Sequence, residues 1–357
     1  MKIIHCADLH LDSRMESGLP AEKARERRLE LLRTFTRMVE RAQEQRAEAI
    51  LLCGDLFDAR TISARAGNCV MDAVAEHPGI TFYYLQGNHD QNSFLTESRC
   101  LPENLKTFGA DWTSYEQGEV TITGAELSEV TEEGLMDRLS LDGGRLNIVM
   151  LHGMATEYGL REQSDAFSLR ALKGRGIDYL ALGHVHRFGA GPLDERGVWC
   201  YSGCLEGRGF DECGEKGYVE LEVHGGKIRS SFVPFAQRTL HEVPVDITEM
   251  MTQEEIQRKV RRELENIPSK DLVKVRLTGR VRPEAERDPA WLQKWLENEY
   301  YFLKVKDETS CLIRPEEYRY DVSLKGEFVR LVLASDLTDE EKEEILCRGI
   351  HALAGEE

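Results

Sequence analysis

The sequence has no apolar run approaching the roughly 20 residues that a bilayer-spanning helix needs; its candidates are as short as residues 148–151. A transmembrane protein is excluded. Residues 1–8 enter a polar, motif-bearing segment at once, with no room for an apolar signal core, so the expected location is cytoplasmic. A CxxC pair is also missing. Nine cysteines are scattered from Cys6 to Cys347, an odd count that suits reduced thiols rather than a disulfide framework. Cys200, Cys204 and Cys213 come closest to a cluster, but their loose spacing and the lack of an evident fourth partner argue against structural zinc. With only ten prolines, 41 % hydrophobic residues and no low-complexity tract, disordered and fibrous classes are excluded. Positive charge is scarce: 46 Lys and Arg face 64 Asp and Glu, a net of -18. That excludes a protein that holds a polyanion by bulk electrostatics alone.

The length of 357 residues suggests two domains. Through residue 235, short β-branched or apolar runs end in bursts of Gly, Asp, Asn and His, with amphipathic helical patterns between some of them, an α/β rhythm. Strands are expected at 2–6, 49–53, 81–85, 120–123, 146–151, 178–182, 198–201 and 218–223. The turn His224-Gly225-Gly226-Lys227 then starts a hairpin with 228–235. Residues 21–47 place Leu29, Leu32, Phe35 and Val39 at helical spacing. The basic side chains there interleave with Glu22, Glu26, Glu30, Glu40 and Glu44, so a solvated face is expected rather than a nucleic-acid patch. Residues 236–357 read as a smaller α+β domain, with capping boxes at Thr252/Glu255 and Thr338/Glu341. Both parts are acidic: 26 basic and 37 acidic residues in 1–235, 20 and 27 in 236–357.

Five short motifs fall at predicted strand ends: Asp8-Leu9-His10, Gly54-Asp55-Leu56-Phe57-Asp58, Gly87-Asn88-His89-Asp90, His152-Gly153 and Gly183-His184-Val185-His186. Loops at the carboxyl ends of strands bring distant residues to one crevice, and residues two apart in extended chain project to the same side. The carboxylate, carboxamide and imidazole groups, without thiolate, suit Mn²⁺, Fe²⁺ or Zn²⁺ better than Ca²⁺. Seven such side chains exceed the needs of one ion and match a pair bridged by a shared carboxylate.

In this order the motifs DxH, GDxxD, GNHD, HG and GHxH resemble those of the calcineurin-like metallophosphoesterases. Residues 4–13, 54–58 and 206–212 further resemble the bacterial SbcD-type DNA-repair exonucleases, and within these a YhaO-like branch. The resemblance is strong over residues 1–235 and weaker through 325–330. It implies a four-layer sandwich of two mixed β-sheets flanked by helices, with 1–235 as the catalytic domain and 236–357 as a capping and partner-binding domain. It implies that Asp8, His10, Asp55 and His186 hold one metal and that Asp55, Asn88, His152 and His184 hold the other, with Asp55 bridging. His89 would sit over the phosphate, and Asp90 would either orient that imidazole or cap the turn. Asp58 stands where some relatives have His, which fits a supporting carboxylate. Cys204-Leu205 replaces the Ser-Pro common among relatives. Arg14, Arg60, Arg187 and Arg208 flank the motifs as phosphate contacts or as ordinary ion pairs.

The activity so implied is two-metal-dependent DNA cleavage, with Mn²⁺ first among the metals. A hydroxide formed from water between the ions would attack, and His89 would protonate the leaving 3′-oxygen. The implied partners are DNA, an SbcC-like coiled-coil ATPase docking near residues 324–353, and a second copy of the chain. The alternative is a phosphomonoesterase or small-molecule phosphodiesterase of the same superfamily, because the metal ligands alone do not select a substrate. Protein phosphatases are disfavoured, since their usual GNHE is GNHD here.

Overall fold

The computed structural model of the chain describes residues 1–15, 18–58, 62–90, 101–127, 134–157 and 166–354. The chain divides into two compact units, Met1–Thr239 and Leu240–Glu357.

The first unit contains two six-stranded mixed sheets. One has β1 (Lys2–Cys6), β2 (Ala49–Cys53), β3 (Thr81–Leu85) and β4 (Leu105–Thr107) in parallel, extended by the antiparallel hairpin of β13 (Gly217–His224) and β14 (Lys227–Pro234). The other is built round parallel β6 (Val120–Gly124), β7 (Leu146–His152), β10 (Tyr179–Gly183) and β12 (Val198–Tyr201), with β5 (Thr113–Gln117) and β11 (Gly189–Pro192) antiparallel at its edges. Two short strands, β8 (Met154–Thr156) and β9 (Ala166–Ser168), pair separately in parallel.

The central strands are buried on both faces, which explains their continuous apolar runs. Ile3, Leu51 and Tyr83 face Ile148, Met150 and Tyr179 in a core between the sheets. Their neighbours Ile4, Leu52 and Phe82 turn outward to Leu31, Phe35 and Val70 on α1 (Ala21–Glu44) and α2 (Ala64–Glu76). Behind the second sheet, Val149, Leu151, Leu180 and Leu182 pack on Phe167 and Leu172, the latter on the short α3 (Leu169–Leu172). The layers are helix, sheet, sheet and helix. The hairpin turn is the expected two-residue one, with His224 opposite Lys227 and Gly225 and Gly226 both at positive φ.

The solvated-face expectation for α1 fails at Arg27 and Glu30, each 1 % exposed. Arg27 bonds Glu30 and lies 3.1 Å from Glu206 Oε2, while Thr34 Oγ1 donates to Glu206 Oε1 at 2.8 Å. This buried ion cluster ties the helix to the loop that opens at Glu206.

In the second unit, the α+β expectation takes the form of three parallel strands, β15 (Leu240–Asp246), β16 (Leu272–Thr278) and β18 (Phe302–Asp307). They are connected through α4 (Gln253–Leu264) and α5 (Pro289–Leu296). A shorter parallel pair, β17 (Arg280–Val281) and β19 (Ser310–Cys311), continues beyond β16 and β18. Thr252 and Glu255 form the expected capping box. Glu341 N likewise donates to Thr338 Oγ1, and Thr338 N to Glu341 Oε2. No described helix is long and apolar enough to cross a membrane.

Candidate metal centre

The five motifs follow β1, β2, β3, β7 and β10. Past the strand ends the first two loops continue to pair: Asp8 N donates to Gly54 O, His10 N to Asp55 O and Leu11 N to Leu56 O, each at 3.0 Å. The two sheets meet here through His152 Nδ1, 2.9 Å from Cys53 O. Gly54, at φ +84, permits this closeness, because a Cβ there would overlap the His152 ring.

Asp8, His10, Asp55 and His184 all have positive φ, at 53, 44, 51 and 98°. That conformation is sparsely populated by residues other than glycine, and four cases among the expected ligands mark a backbone strained to aim side chains.

Donor atoms of Asp8, His10, Asp55 and His186 lie within 4.8 Å of one another. His10 Nε2 is 3.3 Å from His186 Nε2 and 3.9 Å from Asp55 Oδ2. His152 Nε2 is 3.4 Å from Asp55 Oδ2, and it is buried with no hydrogen-bond partner. Nδ1 of His152 donates to the Cys53 carbonyl, so Nε2 is the nitrogen turned to the carboxylates and the one that would ligate a cation in exchange for its proton. The His184 ring stands edge-on to His152 at 5.5 Å between centroids, and His184 N donates to Asp8 Oδ1 at 2.9 Å. Asn88 precedes His89, whose N donates to Asp55 Oδ1 at 2.9 Å. By contrast His5, three residues before the motif and inside β1, has both ring nitrogens occupied by Tyr179 Oη and Leu182 O.

Electrostatics follow this arrangement. Burial pushes the Asp8 carboxyl above the usual carboxylate range, against the pull of His152 and His186. Burial acts the same way on Asp55, but the adjacent His152 ring and the nearby His10 outweigh it and hold Asp55 low. His152 is correspondingly pushed up to about 9, Asp55 and Asp8 overcoming its desolvation. An imidazole facing carboxylates in a dry pocket, with an oxygen and nitrogen donor set, fits a divalent cation, which takes the place of the proton.

A second group joins His10, Asp58 and His89. Asp58 Oδ1 lies 3.2 Å from His10 Nδ1, 3.5 Å from His89 Nδ1 and 3.5 Å from an Arg208 guanidinium nitrogen. Asp90 accepts from the backbone N of Gly87, Leu56 and Phe57, so its two oxygens hold the loop's shape. Arg208 grips Glu212 Oε1 at 2.8 Å. Arg187 is exposed, as is Arg14, whose carbonyl accepts from Arg28; Arg60 lies outside the described residues.

Glu212 carries no mark of its own in the sequence, though it belongs to the segment 206–212. Its Oε1 is 2.7 Å from His186 Nδ1. Burial is overcome by His186 and Arg208, which keep its carboxyl well below the usual range. The signal that finds it is chemical: a ligating histidine needs an acceptor on its other nitrogen.

Residues 1–188 match the family model of the calcineurin-like phosphoesterases. The chain is 28 % identical over 262 residues to the metallophosphoesterase YhaO of Bacillus subtilis, covering 70 % of this chain and 64 % of that protein. It is 27 % identical over 275 residues to the DNA double-strand break repair protein Mre11 of Aeropyrum pernix, covering 69 % and 64 %. To SbcD of the SbcCD nuclease of Escherichia coli it is 25 % identical over 279 residues, covering 64 % and 67 %. The chain thus spans somewhat less than two thirds of the length of the YhaO and Mre11 relatives. With the matched residues making up more than half of its length, the chain belongs to the calcineurin-like phosphoesterase family.

Proposed function

We propose that this chain is a two-metal-dependent DNA nuclease, acting as an exonuclease in DNA repair beside an SbcC-like coiled-coil ATPase. The observation that carries the two-metal reading is the set of imidazole nitrogens gathered at Asp55: His10 Nε2 and His152 Nε2 lie 3.9 and 3.4 Å from Asp55 Oδ2, and His186 Nε2 lies 3.3 Å from that of His10. Asp8, His10, Asp55 and His186 would hold one cation, and Asp55, Asn88, His152 and His184 the second, with Mn²⁺ the first choice. Such cations supply Lewis acidity and positive charge to a phosphate and its attacking water.

The chain's own groups do the rest. Asp55 joins the two ligand sets, and Glu212 fixes the ring of His186. His89, half-exposed and 3.5 Å from Asp58, would stand over the phosphate and pass a proton to the leaving 3′-oxygen. Arg208, already committed to Glu212 and Asp58, orients His186 and Asp58, whereas the exposed Arg187 and Arg14 would meet phosphates along the strand.

DNA as substrate is supported by the relatives named for DNA break repair and for the SbcCD nuclease. The net charge of -18 leaves much of the grip on DNA to a partner. For the ATPase, the apolar residues Tyr320, Val322, Leu324 and Leu331, between 66 and 99 % exposed, offer a docking surface near the C-terminus. Purified protein with Mn²⁺ is to be incubated with linear duplex DNA, single-stranded DNA and a chromogenic phosphomonoester. Cleavage of DNA is expected; hydrolysis of the monoester alone would overturn the nuclease reading in favour of a monoesterase.

A further inference from the structure

Beside the metal pocket lies a second cleft, of about 740 Å³, to which His186 and Glu212 contribute from one side. His186 therefore belongs to both spaces, its Nε2 facing the metal ligands and its Nδ1 facing Glu212. Two residues beyond it, the chain presents Phe188, 40 % exposed. The ring is stacked on Phe232 at 4.6 Å between centroids and 29° between planes. Phe232 itself packs against the core between the sheets, so the pair is anchored at its inner end and open at its outer end. Gly203, at φ +73, lets the chain at 187–188 pass close by: a Cβ there would meet Phe188 N at 2.8 Å.

The charges in this cleft do not select a polyanion. Arg187 and Lys216 line it together with Asp211, Glu212 and Glu215, and Lys216 Nζ is spent on the His186 carbonyl at 2.6 Å. What the cleft offers is an aromatic face, rigidly backed, beside the ligands of a phosphate-processing centre. Every nucleobase has a π-face that such a ring binds without regard to sequence, and only an unstacked base can reach it.

We infer that Phe188, backed by Phe232, is the stacking platform for the base of the nucleotide that flanks the scissile phosphate. Arg187 then pairs with the neighbouring phosphate. This rests on the nuclease reading and adds to it a preference for unpaired or frayed strands over intact duplex. Phe188 is a binding residue and takes no part in the chemistry.

The test compares wild type, Phe188→Ala and Phe188→Trp in Mn²⁺ on single-stranded oligonucleotides that carry, at each end, either normal or abasic terminal and penultimate nucleotides. Wild type is expected to favour a base-bearing end by roughly tenfold in KM, the size of one base–aromatic stack. Phe188→Ala should collapse that preference, and Phe188→Trp should keep it. If wild type cleaves DNA but treats abasic and normal ends alike, or if Phe188→Ala keeps the preference, the platform is wrong while the nuclease reading stands. If wild type cleaves no DNA yet hydrolyses a phosphomonoester, both fall.

Discussion

The Nε2 atoms of His10 and His186 face each other at 3.3 Å, and each ring has an acidic neighbour at its other nitrogen. Glu212 stands 2.7 Å from His186 Nδ1, and Asp58 stands 3.2 Å from His10 Nδ1, though out of line for a hydrogen bond. With Nδ1 of His186 on Glu212 and Nδ1 of His10 beside Asp58, both Nε2 atoms are turned to the same small volume beside Asp8 and Asp55. A cation bound there would take the place of their mutual contact.

Replacing the acceptor on His186 tests this directly. Glu212→Gln is expected to weaken Mn²⁺ binding or activity by about 10- to 100-fold, as loss of a supporting carboxylate does at histidine-ligated metals. Titration calorimetry reads the affinity. An unchanged dissociation constant would show that Glu212 does not orient the ring.

For His89 the expected signature is different. His89→Ala should lower turnover by about 10²- to 10⁴-fold, the usual worth of a positioned general acid, while the number of bound metal ions stays at the wild-type value. Full nuclease activity in this variant, with metal content unchanged, would remove His89 from the chemistry.

A pH dependence follows from His152. Its burial pulls the pKa down, but pairing with Asp55 and Asp8 more than offsets this and takes it to about 9 in the metal-free protein. A histidine raised above its ordinary value of about 6.5 contributes stability that is complete below that pH and lost as pH rises through 9. Metal-free protein should therefore lose thermal stability between about pH 6.5 and 9, and His152→Asn should flatten that slope. Denaturation scans in a chelator would contradict this if wild type and variant showed the same pH profile.

The Arg27–Glu30–Glu206 cluster carries a stability prediction. Arg27→Met leaves the buried Glu206 without its cation, while Glu30 keeps Arg238 at 2.8 Å, and removing one partner of a buried ion pair costs about 3–5 kcal/mol. Urea unfolding of the first unit measures it. A loss under about 1 kcal/mol would mean that the carboxylate takes up a proton or water at little cost.

Much of the fold and the site is legible in the sequence because it is local. The runs at 2–6, 49–53 and 81–85 coincide with β1, β2 and β3, since strands buried on both faces are largely apolar and end sharply at Gly or a polar motif. β5 and α2 leave no such mark. The first is a half-exposed edge strand reading TSYEQ, and the second rests on small residues such as Ala66, Ala73 and Val74, whose periodicity is faint. Arg27 and Glu30 look like any i,i+3 surface pair until Glu206 arrives, 179 positions after Arg27. Glu212 is hidden for the same reason: its meaning comes from His186, 26 residues earlier, and only folding brings them together.

The nuclease reading rests on Asp55 joining two metal ions which together cleave DNA. The measurement is Mn²⁺ stoichiometry by calorimetry, with DNA cleavage followed on the same samples, for wild type and Asp55→Asn. Two ions per chain and Mn²⁺-dependent cleavage are predicted for wild type. The variant should bind at most one ion, with activity lower by at least about a hundredfold. Two ions and undiminished cleavage in Asp55→Asn would show that Asp55 does not join the metals.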